Sequence, residues 1–239
     1  QPVCRTIELM IQLYNTLTRH KDKLQPLDGQ TVRMYTCGLT VYSQPHIGNW
    51  VGYIYWDVLV RLLRWQDIPV IRTQNITDVG HLTSDDDDGE DKIEKGARRE
   101  GKTAWDVAEQ YIAIAEHEAY EILKLVRPDH LVRATDYIQQ QIDFARGLDE
   151  KGFLYKIDGD GMYFDTSLLP DYGKLARLDV AGLEAGARVS VEGKRNITDF
   201  AVWKFSPTNT KRDMEWDSPW GVGFPGWHLE CSTIARETL

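Results

Sequence analysis

A histidine and an asparagine at a glycine-bearing turn have the clearest chemical potential in this sequence. The tetrapeptide His46-Ile47-Gly48-Asn49 follows a short apolar run at residues 32–35, which is typical of a buried parallel strand. It precedes apolar residues at helical spacing, namely Val51, Ile54, Val58 and Leu62. A helix N-terminus carries free N–H groups and a positive dipole end, and Gly48 has no side chain to block an anion. The turn is therefore a candidate phosphate site.

His46 and Asn49 each have a structural alternative. A single histidine is more often structural than functional, but a position before a glycine, between a strand and a helix, favours contact with phosphate. Asn49 could offer its amide hydrogens to the same phosphates. Its alternative role is a local hydrogen bond with the backbone of the first helical turn.

The cysteines supply the second candidate chemistry. Three widely spaced thiols, Cys4, Cys37 and Cys231, make no disulfide framework and fit a reducing cytoplasm. Taken singly, Cys37 and Cys231 are typical of buried thiols. Cys37 follows the first strand, and Cys231 follows His228 in a loop rich in tryptophan and glycine. Together the two sulfurs could form half of a tetrahedral zinc site, and the sequence leaves both interpretations open.

The elements that must position these residues form a crossover unit. Residues 69–73 read as the next parallel strand, which ends in Asn75-Ile76-Thr77-Asp78. Strand, helix and strand make one right-handed crossover, and ligands bind at the carboxyl ends of such strands. We therefore expect Cys37, His46 and Thr77 to converge on one crevice of an α/β, Rossmann-like parallel sheet.

The middle of the chain has a different pattern. Two helices, at 103–125 and 136–151, precede a hairpin with the turn Asp158-Gly159-Asp160-Gly161, whereas residues 19–30 are polar and read as a loop. We interpret the middle as an inserted α+β domain. The predicted division is residues 1–91 for the first half of a Rossmann-like catalytic domain, 92–195 for the connective insertion, and 196–239 for the start of the second half, with the zinc and cysteine site.

An acidic run, Asp85–Asp88, lies between the crossover unit and the insertion. Charge runs usually stay in water, so a solvated loop is the first interpretation. A site for a hard cation is the alternative. Consecutive carboxylates lack the alternation of a calcium-binding loop, which weakens that alternative.

Composition sets further limits. The 239 residues, 42% of them hydrophobic, suffice for one large or two small domains. A formal net charge of −9 excludes a general nucleic-acid coat protein, because phosphate binding requires a basic face. Recognition of a folded RNA through a local surface stays open. The sequence has no apolar run near transmembrane length and no signal-peptide pattern, so we expect a cytoplasmic protein without a membrane partner.

The motifs together resemble those of the cysteinyl-tRNA synthetases, a family of class I aminoacyl-tRNA synthetases. Residues 13–19 are similar to the N-terminal signature of that family, and residues 34–49 to its zinc-cysteine strand and HIGH motif. Residues 75–78 and four later blocks (170–175, 185–189, 199–204 and 216–232) follow in the same order. Two features depart from the pattern. Asn49 replaces the second histidine of HIGH, and residues 80–90 interrupt the usual Asp-Lys-Ile continuation.

The resemblance implies an ATP-dependent cysteine–tRNA ligase. The carboxylate of L-cysteine would attack the α-phosphorus of ATP, which binds with Mg²⁺, and the cysteinyl group would pass from cysteinyl-adenylate to tRNA(Cys). By position, Cys37 and Cys231 would be two of four zinc ligands, and the Zn²⁺ would bind the substrate thiolate. The catalytic pair would be His46 and Asn49. The residues around ATP would be Gly38, Thr40, His46, Gly48 and Asn49, and those around cysteine would be Cys37, Thr77, Trp227 and His228.

The resemblance also sets an expectation for the extent of the chain. The other two zinc ligands, the second half of the nucleotide fold, the lysine-bearing KMSKS loop and the anticodon-binding helices would lie beyond Leu239. We therefore expect the N-terminal half of an enzyme that is monomeric at full length, and no aminoacylation by these 239 residues alone. A cysteine ligase of thiol-cofactor biosynthesis, which acts on an amino sugar, is one alternative. A fragment that binds nucleotide or zinc without catalysis is another.

Overall fold

The structure is a computed structural model that describes residues 11–79, 92–177, 193–208, 211–226 and 228–239. The predicted acidic run at 85–88 therefore lies outside the described residues. The strands are β1 (Gln12–Asn15), β2 (His20–Lys23), β3 (Val32–Thr36), β4 (Val70–Ile76), β5 (His130–Arg133), β6 (Leu154–Ile157), β7 (Gly161–Phe164), β8 (Phe200–Phe205) and β9 (Gly223–Pro225). The α-helices are α1 (Ile47–Trp65), α2 (Lys92–Glu100), α3 (Ala104–Glu116), α4 (Ile138–Glu150) and α5 (Leu229–Thr238).

A parallel three-stranded sheet in the order β3-β4-β5 underlies the candidate site. Its register pairs Val32 with Val70 and Thr73 with His130. Because side chains alternate across a strand, Arg72 lies on the face covered by α1, whereas Thr73 lies on the face covered by α5 and shares a hydrogen bond of 2.8 Å with Thr238. Helices thus cover both faces, as the apolar runs predict, and the predicted α/β fold with a parallel sheet is confirmed.

The buried face of α1 differs from the predicted one. Val51, Val58 and Leu62 are 41%, 57% and 37% exposed. The buried positions are instead Trp50, Tyr53, Asp57, Val60 and Leu63. Apolar residues occupy nearly the whole circumference of this helix, so their spacing does not select a face. Polar anchors on the buried side do: the Trp50 indole donates to Glu118 (2.8 Å), and Asp57 accepts from the backbone N–H of Val126 (2.6 Å).

The prediction of a loop at 19–30 is wrong for its first part. Residues His20–Lys23 form β2, which pairs antiparallel with β1, Gln12 lying opposite Lys23. The strand sequence His-Lys-Asp-Lys has no apolar alternation, so nothing in its pattern indicates a strand. Packing of Leu13 and Leu24 on Leu63 holds the hairpin against the end of α1.

The second sheet is antiparallel, with the strand order β6-β7-β8-β9. Its first two strands are the predicted hairpin. The predicted three-part division stays a prediction, but strand pairing crosses both of its boundaries. Strand β5, from the predicted insertion, joins the parallel sheet, and β8, from the predicted last segment, pairs with β7.

One large core joins the middle helices to the second sheet. Fully buried members of this core from α2, α3, α4 and β8 include Ile93, Val107, Ala145 and Trp203. Among the residues that the structure describes, no helix is both long and apolar enough to cross a membrane.

Candidate nucleotide and zinc site

The two cysteines that the sequence singles out lie side by side. Cys37 directly follows β3, Cys231 lies in the first turn of α5, and their Sγ atoms are 3.7 Å apart. Two thiolates on one tetrahedral zinc ion, each about 2.3 Å from the metal, lie about 3.8 Å apart. The pair therefore fits half of a zinc site. Among the described residues, no cluster of three or more His, Cys, Asp or Glu side chains is arranged to hold a metal, so these two sulfurs need further ligands.

The two thiols lie within hydrogen-bond distance of each other, and either sulfur could be the donor. This hydrogen bond lowers the pKa of Cys37 to about 6. The same bond, together with burial, raises the pKa of Cys231. The lowered pKa favours the thiolate form of the exposed sulfur, Cys37, and thiolates are the form of cysteine that binds metals.

A buried acid, Glu230, adjoins the sulfur pair and was not singled out from the sequence. Its side chain is 9% exposed, and its Oε1 lies 3.9 Å from Cys231 Sγ. Burial raises the pKa of Glu230 to about 7. In the sequence, only its position directly before Cys231 indicates a place near the sulfur pair, and adjacent residues in a helix usually point in different directions.

Contacts of the segment that follows β3 with β4 and α1 fix the position of Cys37. The Gly38 N–H donates to Asn75 Oδ1 (2.9 Å), and the Tyr53 hydroxyl of α1 donates to the Cys37 carbonyl (3.3 Å). A Cβ on Gly38 would lie 1.4 Å from the Asn75 carbonyl oxygen, so this close approach requires glycine. The second turn of α1 and the end of β4 together hold the cysteine in place.

Thr77, which directly follows β4, also bonds to the segment after Cys37. Its N–H donates to the Leu39 carbonyl (2.9 Å), its carbonyl accepts from Val41 (3.1 Å), and it forms a parallel bridge with Thr40. The Thr77 side chain is 4% exposed, and its hydroxyl accepts from the Asn75 amide (2.8 Å). Thr77 therefore ties the end of β4 to the segment that follows β3, and its predicted contact with cysteine stays a prediction.

At the start of α1, Asn49 takes the structural role that the sequence analysis left open. Its Oδ1 accepts from the backbone N–H of His46 (3.0 Å). Its amide hydrogens have no acceptor in the described parts of the chain, so they are available to a ligand. His46 is exposed. A Cβ on Gly48 would lie 3.0 Å from two atoms of the imidazole, so the missing side chain makes room for this ring.

Of the remaining residues predicted around cysteine, the structure describes His228 but not Trp227. Trp227 lies outside the described residues. His228 directly precedes α5 with a left-handed backbone (φ 65°), and its ring meets Phe200 edge-on at 5.2 Å between centroids. The imidazole borders a cavity of about 190 Å³ between α4, α5 and the second sheet. Cys231 lies one turn further along α5.

A comparison of folds gives the class. The chain is similar to the methionyl-tRNA synthetase of Mycobacterium tuberculosis, solved in complex with methionyl-adenylate, with a TM-score of 0.61 over 87% of this chain and 47% of that one. Sequence identity is 14%, so this likeness shows the fold alone, which is that of class I tRNA synthetases.

Sequence comparisons give the family. The model described as tRNA synthetases class I (C) catalytic domain matches residues 23–239. The cysteine–tRNA ligase 1 of Burkholderia lata is 52% identical over 96% of this chain and 48% of its own length. The cysteine–tRNA ligase of Novosphingobium aromaticivorans is 47% identical over 96% of this chain and 46% of its own length. The chain therefore belongs to the class I (C) tRNA synthetase catalytic domain family, and it spans about half the length of these curated relatives.

Proposed function

We propose that the chain supplies the first half of the catalytic domain of an ATP-dependent cysteine–tRNA ligase. Its substrates would be L-cysteine, ATP with Mg²⁺ and tRNA(Cys), and the full-length enzyme would be a monomer. The 3.7 Å separation of Cys37 Sγ and Cys231 Sγ carries the proposal, because two sulfurs far apart in sequence meet at the carboxyl end of a parallel sheet. The names of the relatives support the choice of cysteine and tRNA.

In this proposal the sulfur pair holds zinc. Cys37 and Cys231 would bind the ion through their thiolates, and bound zinc would supply a thiophilic Lewis acid that prefers the thiol of cysteine to the hydroxyl of serine. Gly38 and Asn75 keep Cys37 in position for this role. The hydroxyl of serine has almost the shape of the thiol, and a hydrophobic pocket alone discriminates poorly between such isosteres.

The start of α1 would bind the phosphates of ATP. The N–H groups of Ile47 and Gly48 open the helix and have no acceptor within it, so they form the positive end of the dipole. His46 and the amide hydrogens of Asn49 add donors at the same end. These groups would hold the α-phosphate in line with the attacking carboxylate and neutralise the charge that develops there, without a covalent intermediate.

Cysteine-dependent exchange of pyrophosphate into ATP, measured on the intact protein, tests this function. Exchange should require cysteine and fail with serine. Cys37→Ser and Cys231→Ser should each lose bound zinc and lower kcat/KM by more than about 100-fold. Mutation of a residue that only hydrogen-bonds to a metal ligand already lowers metal affinity or activity by about 10–100-fold. Cys4→Ser, which changes the third cysteine, is the matched control and should retain both zinc and exchange.

Two outcomes would contradict the proposal. Equal exchange with serine and cysteine would show that zinc does not select the substrate. Full zinc content in both Cys37→Ser and Cys231→Ser would show that the sulfur pair does not hold the ion. Transfer of cysteine to an amino sugar instead of tRNA(Cys) would favour the thiol-cofactor alternative.

A further inference from the structure

The cysteine pair has a chemistry of its own, apart from metal binding. Cys37 Sγ and Cys231 Sγ lie 3.7 Å apart, although 194 positions separate the two residues in the sequence. A disulfide has an S–S distance of about 2.05 Å, so the two sulfurs need to approach by only about 1.7 Å more. The Cys37 side chain is exposed and has room to turn towards its neighbour. The pair is therefore placed to form a disulfide.

The surroundings of the two sulfurs differ, and this difference sets the order in which they react. Cys37 is exposed, so an oxidant in solution reaches it first. Cys231 is half-buried, and its Sγ lies 3.9 Å from both Asn75 Oδ1 and Glu230 Oε1. Cysteines that respond to oxidants are accessible and often have a second cysteine beside them that resolves the first product into a disulfide. Cys37 has the first of these roles and Cys231 the second.

Both cysteines are attached to the same strand, β4. The N–H of Gly38, next to Cys37, donates to Asn75 Oδ1 (2.9 Å). Helix α5 is joined to the same strand by the hydrogen bond of 2.8 Å between the hydroxyls of Thr73 and Thr238. The fold thus holds the two sulfurs together, and a reaction between groups held in this way is far faster than the same reaction between separate molecules.

We propose that Cys37 and Cys231 form a reversible disulfide when hydrogen peroxide oxidises Cys37. In the first step the Cys37 sulfur bonds to one peroxide oxygen and the O–O bond breaks. Cys37 becomes a sulfenic acid, and the other oxygen leaves as water with the proton of the Cys37 thiol. In the second step the Cys231 sulfur attacks the Cys37 sulfur, the S–O bond breaks, and the hydroxyl leaves as water with the proton of the Cys231 thiol. The two sulfurs together lose two electrons, which the peroxide takes up.

Oxidation of the pair removes both thiolates that the proposed function assigns to zinc. A disulfide offers no thiolate to a metal, so the oxidised protein should not bind the ion, and reduction by a thiol should restore the site. This consequence rests on the proposed function. Formation of the disulfide does not, because it depends only on the two sulfurs and the oxidant.

Peptide mapping of the intact protein tests the disulfide directly. Zinc is removed with EDTA, hydrogen peroxide is added, and the protein is digested with trypsin without reduction. Cys37 and Cys231 occur in the tryptic peptides 34–61 and 213–236. We expect these two peptides to be linked, at the sum of their masses less two hydrogens, and to separate after dithiothreitol. An oxidised peptide 34–61 without the link, a link of either peptide to Cys4, or no reaction would overturn the proposal.

Two variants test the order of the steps. Cys231→Ser lacks the resolving sulfur, so Cys37 should remain a sulfenic acid and form at least about 10 times more dimedone adduct than in the unaltered protein. Cys4→Ser, which keeps the pair, is the matched control and should form the linked peptides to the same extent as the unaltered protein. Equal dimedone labelling of Cys37 in Cys231→Ser and in the unaltered protein would contradict the role of Cys231.

Measurement of zinc separates this proposal from the proposed function. In protein loaded with zinc before oxidation, the zinc released should equal the disulfide formed. The linked peptides in a protein that binds no zinc would support the disulfide and contradict the zinc site alone. On a non-reducing gel the oxidised chain should run faster than the reduced chain, because the disulfide closes a loop of 194 residues in the denatured state. Equal mobility of the two forms would contradict the disulfide.

Discussion

Replacement of Gly38 by alanine would insert a methyl group into the backbone of β4. The added Cβ would lie 1.4 Å from the Asn75 carbonyl oxygen and 2.6 Å from its carbonyl carbon, and backbone atoms cannot turn away as a side chain can. Overpacking of this kind costs about 1–3 kcal/mol. Loss of the hydrogen bond from the Gly38 N–H to Asn75 Oδ1 adds about 0.5–1.5 kcal/mol. We expect Gly38→Ala to lose roughly 1.5–4.5 kcal/mol of unfolding free energy.

Circular dichroism during thermal unfolding, together with cobalt(II) titration of the thiolates, would measure both consequences. A loss of this size lowers the unfolding midpoint by about 2–4 °C per kcal/mol in a domain of this length, and displacement of Cys37 should weaken cobalt binding. Gly52→Ala in α1 is the matched control, because a Cβ there meets nothing within 4 Å. It should gain about 0.5–1 kcal/mol, as alanine in place of glycine does inside a helix. A midpoint and a cobalt affinity unchanged in Gly38→Ala would refute this reasoning.

Three further predictions concern α1 and the end of β4. Gly48→Ala should raise the KM for ATP several-fold in pyrophosphate exchange without lowering the unfolding midpoint, because its Cβ would lie 3.0 Å from the His46 ring and turn it. Val60→Ala should cost about 2 kcal/mol in urea unfolding, whereas Val58→Ala should stay within about 0.5 kcal/mol, since these residues are 1% and 57% exposed; equal losses would contradict the observed face of the helix. Burial raises the pKa of Asp78, so its stabilising contribution is complete below its ordinary pKa and is lost as the pH rises through the raised value. Asp78→Asn should therefore gain stability relative to the unaltered protein between pH 4 and pH 8, and a difference independent of pH would contradict this.

Elements defined by local patterns could be predicted from the sequence. The unit of β3, α1 and β4 follows from two apolar runs around an amphipathic segment, and the hairpin of β6 and β7 follows from the turn at Asp158–Gly161. In both cases each element is indicated by residues that are close together in the sequence. The position of His46 at the start of α1 could be predicted for the same reason.

Choices between two locally equivalent arrangements could not be predicted. Apolar side chains on both sides of α1 leave its orientation to be set by distant partners, Glu118 for Trp50 and the Val126 N–H for Asp57. Strand β8 has an apolar sequence that suits either sheet, and its pairing with β7 depends on main-chain register rather than on composition. Glu230 was overlooked because its burial depends on how α5 packs on the parallel sheet.

The sulfur pair shows how a local requirement can determine a long-range contact. The sequence places Cys37 after one strand and Cys231 in a loop rich in tryptophan and glycine, but neither pattern contains the distance between them. That distance depends on how closely the backbones of β3 and β4 approach, which in turn depends on the absence of a side chain at Gly38. Asn75 then links both cysteines, since its Oδ1 accepts from the Gly38 N–H at 2.9 Å and lies 3.9 Å from Cys231 Sγ. A glycine and an asparagine that bind no metal themselves thus decide whether two thiolates lie close enough together to share one.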